Sequence, residues 1–292
     1  MAGKLTTTEL LKLIPQQHPF RFVDEIIEVD NERIVGVVRL ARTRMERDLT
    51  LKGAILDDTL EISGASLHTV SMRGAELRGG FEISTSVLSS LDFSGAKIAG
   101  SIKLSDVLLL SGMSGVNATF ERGMTVEGCR SKGAFSMSGA TGQGGLILSN
   151  LTVEGHLMPP LSLEGTLNMN EVTIYQNLIM IDGHFADATI SKVQVVGSSQ
   201  FAGVLFVGKL VISDTDFGKA FSATEALFDG EVEFRKVRFP GENPMEGALF
   251  ASAPTLVDTT LPHPPELKPD KQDEGPDEEE PDDSDDAGPG GD

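Results

Sequence analysis

The stretch 60-LEISGASLHTVSMRGAELRGG-80 is followed directly by 81-FEISTSVLSSLDFSGAKIAGS-101, which repeats its apolar pattern. When the two are aligned, Phe81 falls below Leu60 and Ile83 falls below Ile62, 21 residues later in the sequence. A fixed period of this length is typical of a solenoid, in which each repeat forms one coil stacked on the previous coil. This repeat decides the predicted fold.

The repeat continues along the chain in steps of 21 or 22 residues. Nine coil starts are placed at Leu60, Phe81, Ile102, Met124, Leu146, Leu167, Thr189, Leu210 and Val232. The residue two positions after each start is apolar in eight of the nine coils, the exception being Ser191 in the coil that begins at Thr189. We therefore expect one continuous inward column, which includes Ile62, Ile83, Leu104, Val126 and Leu148.

Within each coil, apolar residues alternate at i and i+2, which is the period of short β-strands. Glycines such as Gly64 and Gly74 fall where tight turns are needed between these strands. The sequence therefore predicts an all-β fold, a single-stranded parallel β-helix that we expect to be right-handed. It would have eight to nine coils of 21–22 residues and form a rod on the order of 40 Å long.

The pattern in 65-ASLHTVSMRGAELRG-79 and 96-AKI-98 resembles that of pentapeptide-repeat β-helix proteins. Later coils, such as 124-MTVEGCRSKGA-134 and 146-LILSNLTVEGHLMPPLSLEGTLNM-169, are similar to those of the bactofilins. The resemblance covers roughly residues 49–239. It implies a β-helix that serves as a scaffold and, for a bactofilin-like protein, a polymer-forming cytoskeletal role.

The N-terminal residues have a different pattern. In 6-TTTELLKLI-14, Leu10, Leu11 and Ile14 share one helical face, and Pro15 ends the predicted helix. The segments 19-PFRFVDEIIEV-29 and 33-RIVGVVRL-40 read as two strands of a hairpin that turns at Asp30-Asn31. Residues 1–48 are therefore predicted to form a helix-hairpin cap over the first coil.

This N-terminal segment also resembles the opening of the hotdog-fold 3-hydroxyacyl-acyl-carrier-protein dehydratases. The resemblance rests on Ile14-Pro15, Pro19-Phe20 and Val23-Asp24 and implies a link to lipid metabolism. The family's catalytic histidine motif has no counterpart in 43-TRMERDLTL-51, and no segment fits the helix that carries its catalytic acid. His18 is the one histidine in the matching segment and would be the catalytic candidate if this alternative holds.

The repeat fades after about residue 249, which sets the predicted β-helix at 49–249 and a tail at 250–292. Residues 269–292 contain twelve acidic residues and one lysine, a net charge of −11 out of −20 for the chain. A Pro-, Asp- and Glu-rich segment with few apolar residues is predicted to be disordered. It would be a solubilising tail or, alternatively, an interaction tail for a basic partner.

The cysteine content and the hydropathy of the chain predict its cellular compartment. The single cysteine, Cys129, excludes an intramolecular disulfide framework and favours a reducing compartment. The chain shows no signal-peptide pattern and no run of about 18 apolar residues, so a cytoplasmic protein without membrane insertion is expected. Residues 49–239 carry 14 basic and 20 acidic residues, which argues against a nucleic-acid partner.

The sequence contains no pattern that predicts a catalytic, cofactor or metal site. His68, His156 and His184 occupy different positions within their coils, and His263 lies beyond the last one, so no metal cluster is expected. Cys129 reads as an ordinary small residue. Four candidate carboxylates are predicted to be solvated at coil corners: Asp57, Asp58, Asp214 and Asp216. The glycine-rich stretch 139-GATGQGG-145 is predicted to form a turn-rich coil rather than a phosphate loop.

Three functions remain open at this stage. The first is a non-enzymatic structural or protein-interaction scaffold, whose partner is another protein or a second copy, in a dimer or end to end. The second is a dehydratase-related protein of lipid metabolism. The third is an acidic rod that mimics DNA and binds a topoisomerase, although the modest net charge of the rod itself weakens this reading.

Overall fold

The computed structural model describes residues 4–6, 21–23, 27–28, 30–45 and 48–268. These residues form strands, turns and bends, with no helix among them. The strands, numbered in chain order, belong to two sheets. The first sheet has 13 strands: β1 (Lys4–Thr6), β4 (Arg33–Val35), β8 (Ile55–Leu56), β11 (Glu76–Leu77), β14 (Lys97–Ile98), β17 (Thr119–Phe120), β21 (Thr141–Gly142), β24 (Ser162–Leu163), β27 (His184–Phe185), β31 (Leu205–Phe206), β34 (Leu227–Phe228), β36 (Leu249–Phe250) and β38 (Glu266–Leu267).

The second sheet has 25 strands, because most coils contribute two or more strands to it. These strands are β2 (Arg21–Val23), β3 (Ile27–Glu28), β5 (Val38–Ala41), β6 (Thr43–Met45), β7 (Leu49–Thr50), β9 (Leu60–Ser63), β10 (Ser66–Ser71), β12 (Gly80–Ser84), β13 (Val87–Asp92), β15 (Ser101–Ser105), β16 (Leu108–Ser114), β18 (Met124–Glu127), β19 (Arg130–Ser131), β20 (Ala134–Ser136), β22 (Leu146–Val153), β23 (Leu157–Met158), β25 (Leu167–Ile174), β26 (Leu178–Ile179), β28 (Ala188–Ser191), β29 (Gln194–Val195), β30 (Ser198–Gln200), β32 (Leu210–Asp216), β33 (Ala220–Ser222), β35 (Val232–Arg238) and β37 (Thr255–Val257).

The strands pair in parallel with their counterparts in the coils before and after them along the chain. Leu60 pairs with Phe81, and Phe81 pairs with Ile102, as the sequence repeat predicts. The same step of 21 or 22 residues connects the strands from β4 to β36. The predicted parallel β-helix is therefore confirmed, as a solenoid of about ten turns.

One column of inward side chains passes through the solenoid as predicted, with one correction to its register. The coil after Leu167 begins at Ala188, not at Thr189, because Leu167 pairs with Ala188 and Met169 pairs with Ile190. Ile190 therefore fills the inward position that the sequence analysis assigned to Ser191. The column is buried throughout: Ile62, Ile83, Leu104, Val126, Leu148, Met169, Ile190, Ile212 and Phe234.

A corner with left-handed backbone conformation recurs in every coil. Eleven residues with φ between +48° and +64° follow one another at steps of 21 or 22, and ten steps separate the first from the last. They are Arg42, Gly64, Thr85, Asp106, Gly128, Asn150, Glu171, Lys192, Asp214, Lys236 and Asp258. Asn, Asp and Gly tolerate this conformation most easily, which explains part of the polar composition of the corner.

A second corner series corrects the predicted N-terminal hairpin. Asn31 has a φ of +61°, and its N–H donates to the carbonyl of Lys52, just as the N–H of Gly53 donates to Arg73 one coil later. The strands that follow Asn31, β4 and β5, pair in parallel with β8 and β9. Asp30-Asn31 is therefore a solenoid corner, because a residue that favours positive φ serves a coil corner as well as a hairpin turn.

Glycine is required where adjacent coils meet backbone to backbone. A Cβ atom on Gly79 would lie 2.5 Å from the carbonyl carbon of Asp58, and one on Gly100 would lie 2.2 Å from the backbone of Gly79. Such distances are far below a normal contact, so any larger residue would push the coils apart. This explains part of the high glycine content of the sequence.

The ladder also extends past both predicted bounds of the β-helix. β1, β2 and β3 pair with strands of the following coil, and β37 and β38 pair with β35 and β36. The solenoid therefore has one or two more turns than predicted. Residues 7–14 of the predicted helix lie outside the described residues, whereas Thr6 belongs to β1. The predicted disordered tail spans residues 250–292. Residues 250–268 contribute β37 and β38 instead, and residues 269–292 lie outside the described residues.

The core changes character toward the C-terminal end. The early coils combine aliphatic residues with single phenylalanines such as Phe81 and Phe120, whereas phenylalanine rings stack from coil to coil along the later ones. Phe206 and Phe228 have ring centroids 5.7 Å apart, and Phe228 and Phe250 have centroids 4.5 Å apart, with the rings nearly parallel. This stack ends at Phe250, directly beneath the last coil.

Candidate functional site: the uncovered C-terminal coil

The last coil of the solenoid consists of β37 and β38 with their connecting residues. β37 pairs with β35, and β38 pairs with β36, on the side that faces the rod. On the opposite side neither strand pairs with any other described strand. Their outer backbone groups form two parallel strand edges, a known template for pairing with another chain.

No other described residue covers the inward side chains of this coil. Leu256 pairs with Phe234 in the inward column, yet Leu256 is 41% exposed while Phe234 is fully buried. Leu267 continues the phenylalanine stack, since it pairs with Phe250, and it is 53% exposed. Both side chains belong to columns that stay buried elsewhere because the next coil covers them, so the end of the rod presents an apolar face.

The terminal coil is nevertheless well attached. The N–H of Lys268 donates to the carbonyl of Phe250 over 2.8 Å, and its ammonium group pairs with Asp229. The Thr259 hydroxyl accepts the N–H of Val237 over 3.0 Å and donates to the carbonyl of Val257. These bonds hold the coil in the geometry that a following coil would continue.

The core below this end offers no room for a ligand. A cavity of about 10 Å³ lies among phenylalanine rings of the last coils, including Phe228 and Phe234. A volume of this size holds at most one water molecule. The end of the rod is therefore a candidate surface for another polypeptide and not for a small molecule.

A second surface feature lies on the side of the rod, where Pro160 takes a corner position that positive-φ residues occupy in the other coils. Its fixed φ cannot make the same turn, and Leu161 after it is 39% exposed, whereas alanine at this position is buried in other coils. Met158, Ile179 and Ile181 complete a shallow apolar depression.

The structure separates the four described histidines. His68 contacts Asp48 through its Nδ1 over 2.8 Å, and His156 Nδ1 accepts the N–H of Asn177. His184 lies in β27, and His263 lies in the connection between the strands of the last coil. Among the described residues, no group of three or more His, Cys, Asp or Glu side chains is arranged to hold a metal ion. His18 lies outside the described residues.

The hydrogen bond from His68 lowers the pKa of the Asp48 carboxyl, and bonds from the hydroxyl and N–H of Thr69 act in the same direction. The pair is largely exposed, so its effect on stability is small. Asp48 and the Thr69 hydroxyl both contact the same ring nitrogen of His68, Nδ1. The imidazole therefore does not connect a carboxylate to a hydroxyl through its two nitrogens, as a catalytic triad requires.

The candidate carboxylates are each held by neighbours in their own part of the rod. Asp57 accepts bonds from Arg33 and Arg78, both over 2.9 Å. Asp58 accepts the N–H of Gly36. Asp216 pairs with Arg238 over 2.6 Å, and Asp214 has φ of +48° at a corner with Lys236 3.9 Å away.

Cys129 belongs to a set of small buried residues that bridge coils. Its Sγ accepts the N–H of Val107 over 3.4 Å and donates to the carbonyl of Glu127 over 3.3 Å. Ser86 and Thr215 make the same two bonds at equivalent positions of other coils. Burial raises the pKa of the Cys129 thiol to about 11. The thiol is therefore a bridging group that stays protonated at neutral pH, a role that the sequence analysis missed.

The glycine-rich residues 139–145 form an ordinary part of one coil. Gly139 has a φ of +71° at a corner, and β21 then pairs with β17 and β24. They therefore form the turn-rich coil that the sequence analysis described.

The exposed end is not evident from the sequence, because the apolar pattern fades after Phe250 and prolines interrupt its continuation at Leu256 and Leu267.

In the described part of the chain, no helix has the length and hydropathy needed to cross a membrane.

No protein-family model, curated protein or solved structure matches this chain.

Proposed function

We propose that this protein is a non-enzymatic structural scaffold, a β-helix rod that associates with further copies of itself through its uncovered C-terminal coil. The observation that carries the proposal is the exposure of Leu256 and Leu267 in columns that are buried elsewhere. Any coil stacked on this end would bury both side chains and pair both strand edges. Burial of apolar area and of unpaired strand edges favours such stacking.

The rod geometry supports this function further. Every coil junction inside the solenoid combines a parallel hydrogen-bond ladder with stacked apolar columns. A junction between two molecules can use the same interactions, because the end coil continues the strand edges and apolar columns of the internal ones. The end coil is shorter, since Leu249 pairs with Glu266 only 17 residues later. More specifically, we propose an assembly like that of the bactofilins or the pentapeptide-repeat proteins. We also propose a cytoplasmic location, which the lone buried Cys129 supports.

Two substitutions in β37 test the proposal with a matched control. Leu256 and Val257 are neighbours with the same exposure of 41%, but Leu256 lies in the inward column, whereas Val257 pairs with Arg235 on the outer face. In the proposal, Leu256→Asp places a charge in the junction, whereas Val257→Asp places it on the side of the rod. Both variants are expected to fold, since each residue is already part-exposed.

The measurement is the molar mass by light scattering over a range of concentrations, with negative-stain microscopy of the same samples. We expect the mass of the wild type and of Val257→Asp to rise with concentration, and Leu256→Asp to stay monomeric. A wild type that remains monomeric at every concentration would contradict the proposal. Equal association of the two variants would also contradict it, because the junction would then lie elsewhere.

A further inference from the structure

We propose that two rods also pair side by side, through one face of the 25-stranded sheet, with the rods parallel and each coil opposite the same coil of a second copy. This inference concerns the side of the rod and goes beyond the proposed function, which uses its C-terminal end. The lateral face consists of the strand that opens each of nine coils, together with the corner residues just before and after it: β9, β12, β15, β18, β22, β25, β28, β32 and β35.

The centre of the lateral face is uncharged over four successive coils. Its outward side chains there are small and polar or aliphatic, and the strand register stacks them coil upon coil: Ile147, Ser149, Asn168, Asn170, Thr189, Ser191, Val211 and Ser213. Ile147 is 44% exposed, and the Ser191 hydroxyl donates to Asn170 Oδ1 over 2.9 Å. Depletion of charged residues at the centre of a patch is typical of protein interfaces.

The two edges of the lateral face carry exposed charges whose sign alternates from coil to coil. In three successive coils, the residue before the strand is Asp187, Lys209 and Glu231. The residue after the strand is Lys192, Asp214 and Lys236. Neighbours pair along each edge, as Lys209 does with Glu231 over 3.3 Å. Each of these coils therefore has opposite charges at its two edges.

A two-fold axis parallel to the rods makes these charges complementary between two copies. Rotation about such an axis places the edge before the strand opposite the edge after the strand, at the same coil of the second copy. The facing charges then have opposite signs in all three coils: Asp187 with Lys192, Lys209 with Asp214, and Glu231 with Lys236. Complementary charges around an interface select the partner and the register more than they add affinity.

Other registers fit less well. A shift of one coil between parallel rods would place Lys209 opposite Lys192, a contact of like charges that opposes association. Antiparallel rods match most of the edge charges only in a register that leaves the coils before residue 146 without a partner. The parallel arrangement in register uses all nine coils, and it also places Glu233 opposite Arg235, next to the neutral centre.

The size of the face predicts a weak contact. Nine coils with strands four residues long give each rod an area on the order of 600 Å². Stable interfaces bury about 800 Å² of each partner. Side-by-side pairing is therefore expected at protein concentrations above those at which the ends associate.

Charge reversals at the edges test the arrangement in the full-length chain. Lys209→Glu places two acidic groups opposite each other at both edges of a pair, and Asp214→Lys places two cations there. The two side chains are 53% and 54% exposed, and the next coil carries Glu231 and Lys236 at the same corners, so both variants are expected to fold. In an equimolar mixture, the two reversed charges meet at one edge and the two original charges at the other, so opposite signs face each other again.

The measurement is small-angle X-ray scattering at increasing concentration, which reports the cross-section and the length of the particles separately. Side-by-side pairing doubles the mass per unit length, whereas association through the ends increases the length. We expect the wild type to double its mass per unit length, each variant alone to need an about tenfold higher concentration, and the mixture to recover the wild-type behaviour. Mixing cannot repair a folding defect, so recovery is specific to the contact between copies.

Two variants outside the lateral face are the matched controls. Lys132→Glu and Glu225→Lys change the net charge by the same amounts at exposed positions and should pair like the wild type. A mixture that pairs no better than its components would overturn the parallel arrangement. A wild type that grows in length at the mass per unit length of one rod would overturn side-by-side pairing and leave the proposed end association intact. A wild type that thickens without growing in length would support this inference and contradict the end association.

Discussion

Leu256 and Phe234 pair directly in the last two coils, and both side chains occupy the same inward column, yet Phe234 is fully buried and Leu256 is 41% exposed. The difference arises because one more coil covers Phe234 and none of the described residues covers Leu256. A solenoid buries its core through its neighbouring coils, so its ends differ from its interior even where the sequence pattern continues. This relationship is the basis of the proposed association.

The inward column predicts a large effect of a charge at Ile83. Ile83→Asp would bury an unpaired carboxylate in a fully buried position and is expected to cost several kcal/mol of unfolding free energy. Ser84→Asp in the same strand, where the side chain is only half-buried, is the matched control. Chemical denaturation followed by circular dichroism measures both. A loss below about 1 kcal/mol for Ile83→Asp would place this residue outside the core.

The bridging role of Cys129 predicts that serine replaces it better than alanine. Cys129→Ser keeps an acceptor for the Val107 N–H and a donor for the Glu127 carbonyl, whereas Cys129→Ala leaves the Val107 N–H without this acceptor, at a cost of about 1–3 kcal/mol. Denaturation at pH 7 compares the two variants. Equal stability of both variants would contradict a hydrogen-bonding role for the sulfur.

The raised pKa of the same thiol predicts that the stability of the protein depends on pH. Its pKa is raised from 9.0 to about 11 in the folded protein. Between these values the unfolded chain loses the thiol proton and the folded chain keeps it, so stability falls as pH rises from about 9 to about 11. The expected loss is on the order of 2 kcal/mol relative to Cys129→Ser, which lacks this titration. Parallel stability curves for the two proteins across this range would show that the thiol is not protected.

The acidic segment 269–292 is predicted to limit association without contributing to the fold. Its deletion removes −11 of the net charge of −20 and should raise the tendency to associate. Light scattering and circular dichroism test the two parts. Loss of β signal on truncation would show that the segment is needed for folding.

The protein is predicted not to dehydrate 3-hydroxyacyl thioesters. A general acid or base typically contributes about 10²–10⁴-fold, and the sequence lacks counterparts of both groups of the dehydratases. A spectrophotometric assay with a crotonyl-type thioester, run beside an active dehydratase, decides the question. A turnover of even about 1 per second would overturn the scaffold proposal. His18→Ala would then be the first variant to test.

The sequence by itself determined the period, the parallel β-helix and most of the inward column. It could do so because a solenoid contact joins residues one period apart, so that the repeat is itself a record of tertiary pairing. Ile62, Ile83 and Leu104 lie where the alignment places them. The register slipped at Thr189, because steps of 21 and of 22 both occur along the chain, and a step of 22 at this coil puts Ser191 where Ile190 belongs.

Only the tertiary structure decided the role of residues whose local signal is ambiguous. Asn31 favours positive φ in a hairpin and in a coil corner alike, and the pairing of β4 with β8 distinguishes the two. Cys129 acquires its bridging role only from the coil that carries Val107. The exposure of Leu256 and Leu267 depends on whether another coil follows, and a single side chain carries no information about that, because burial is a property of its neighbours.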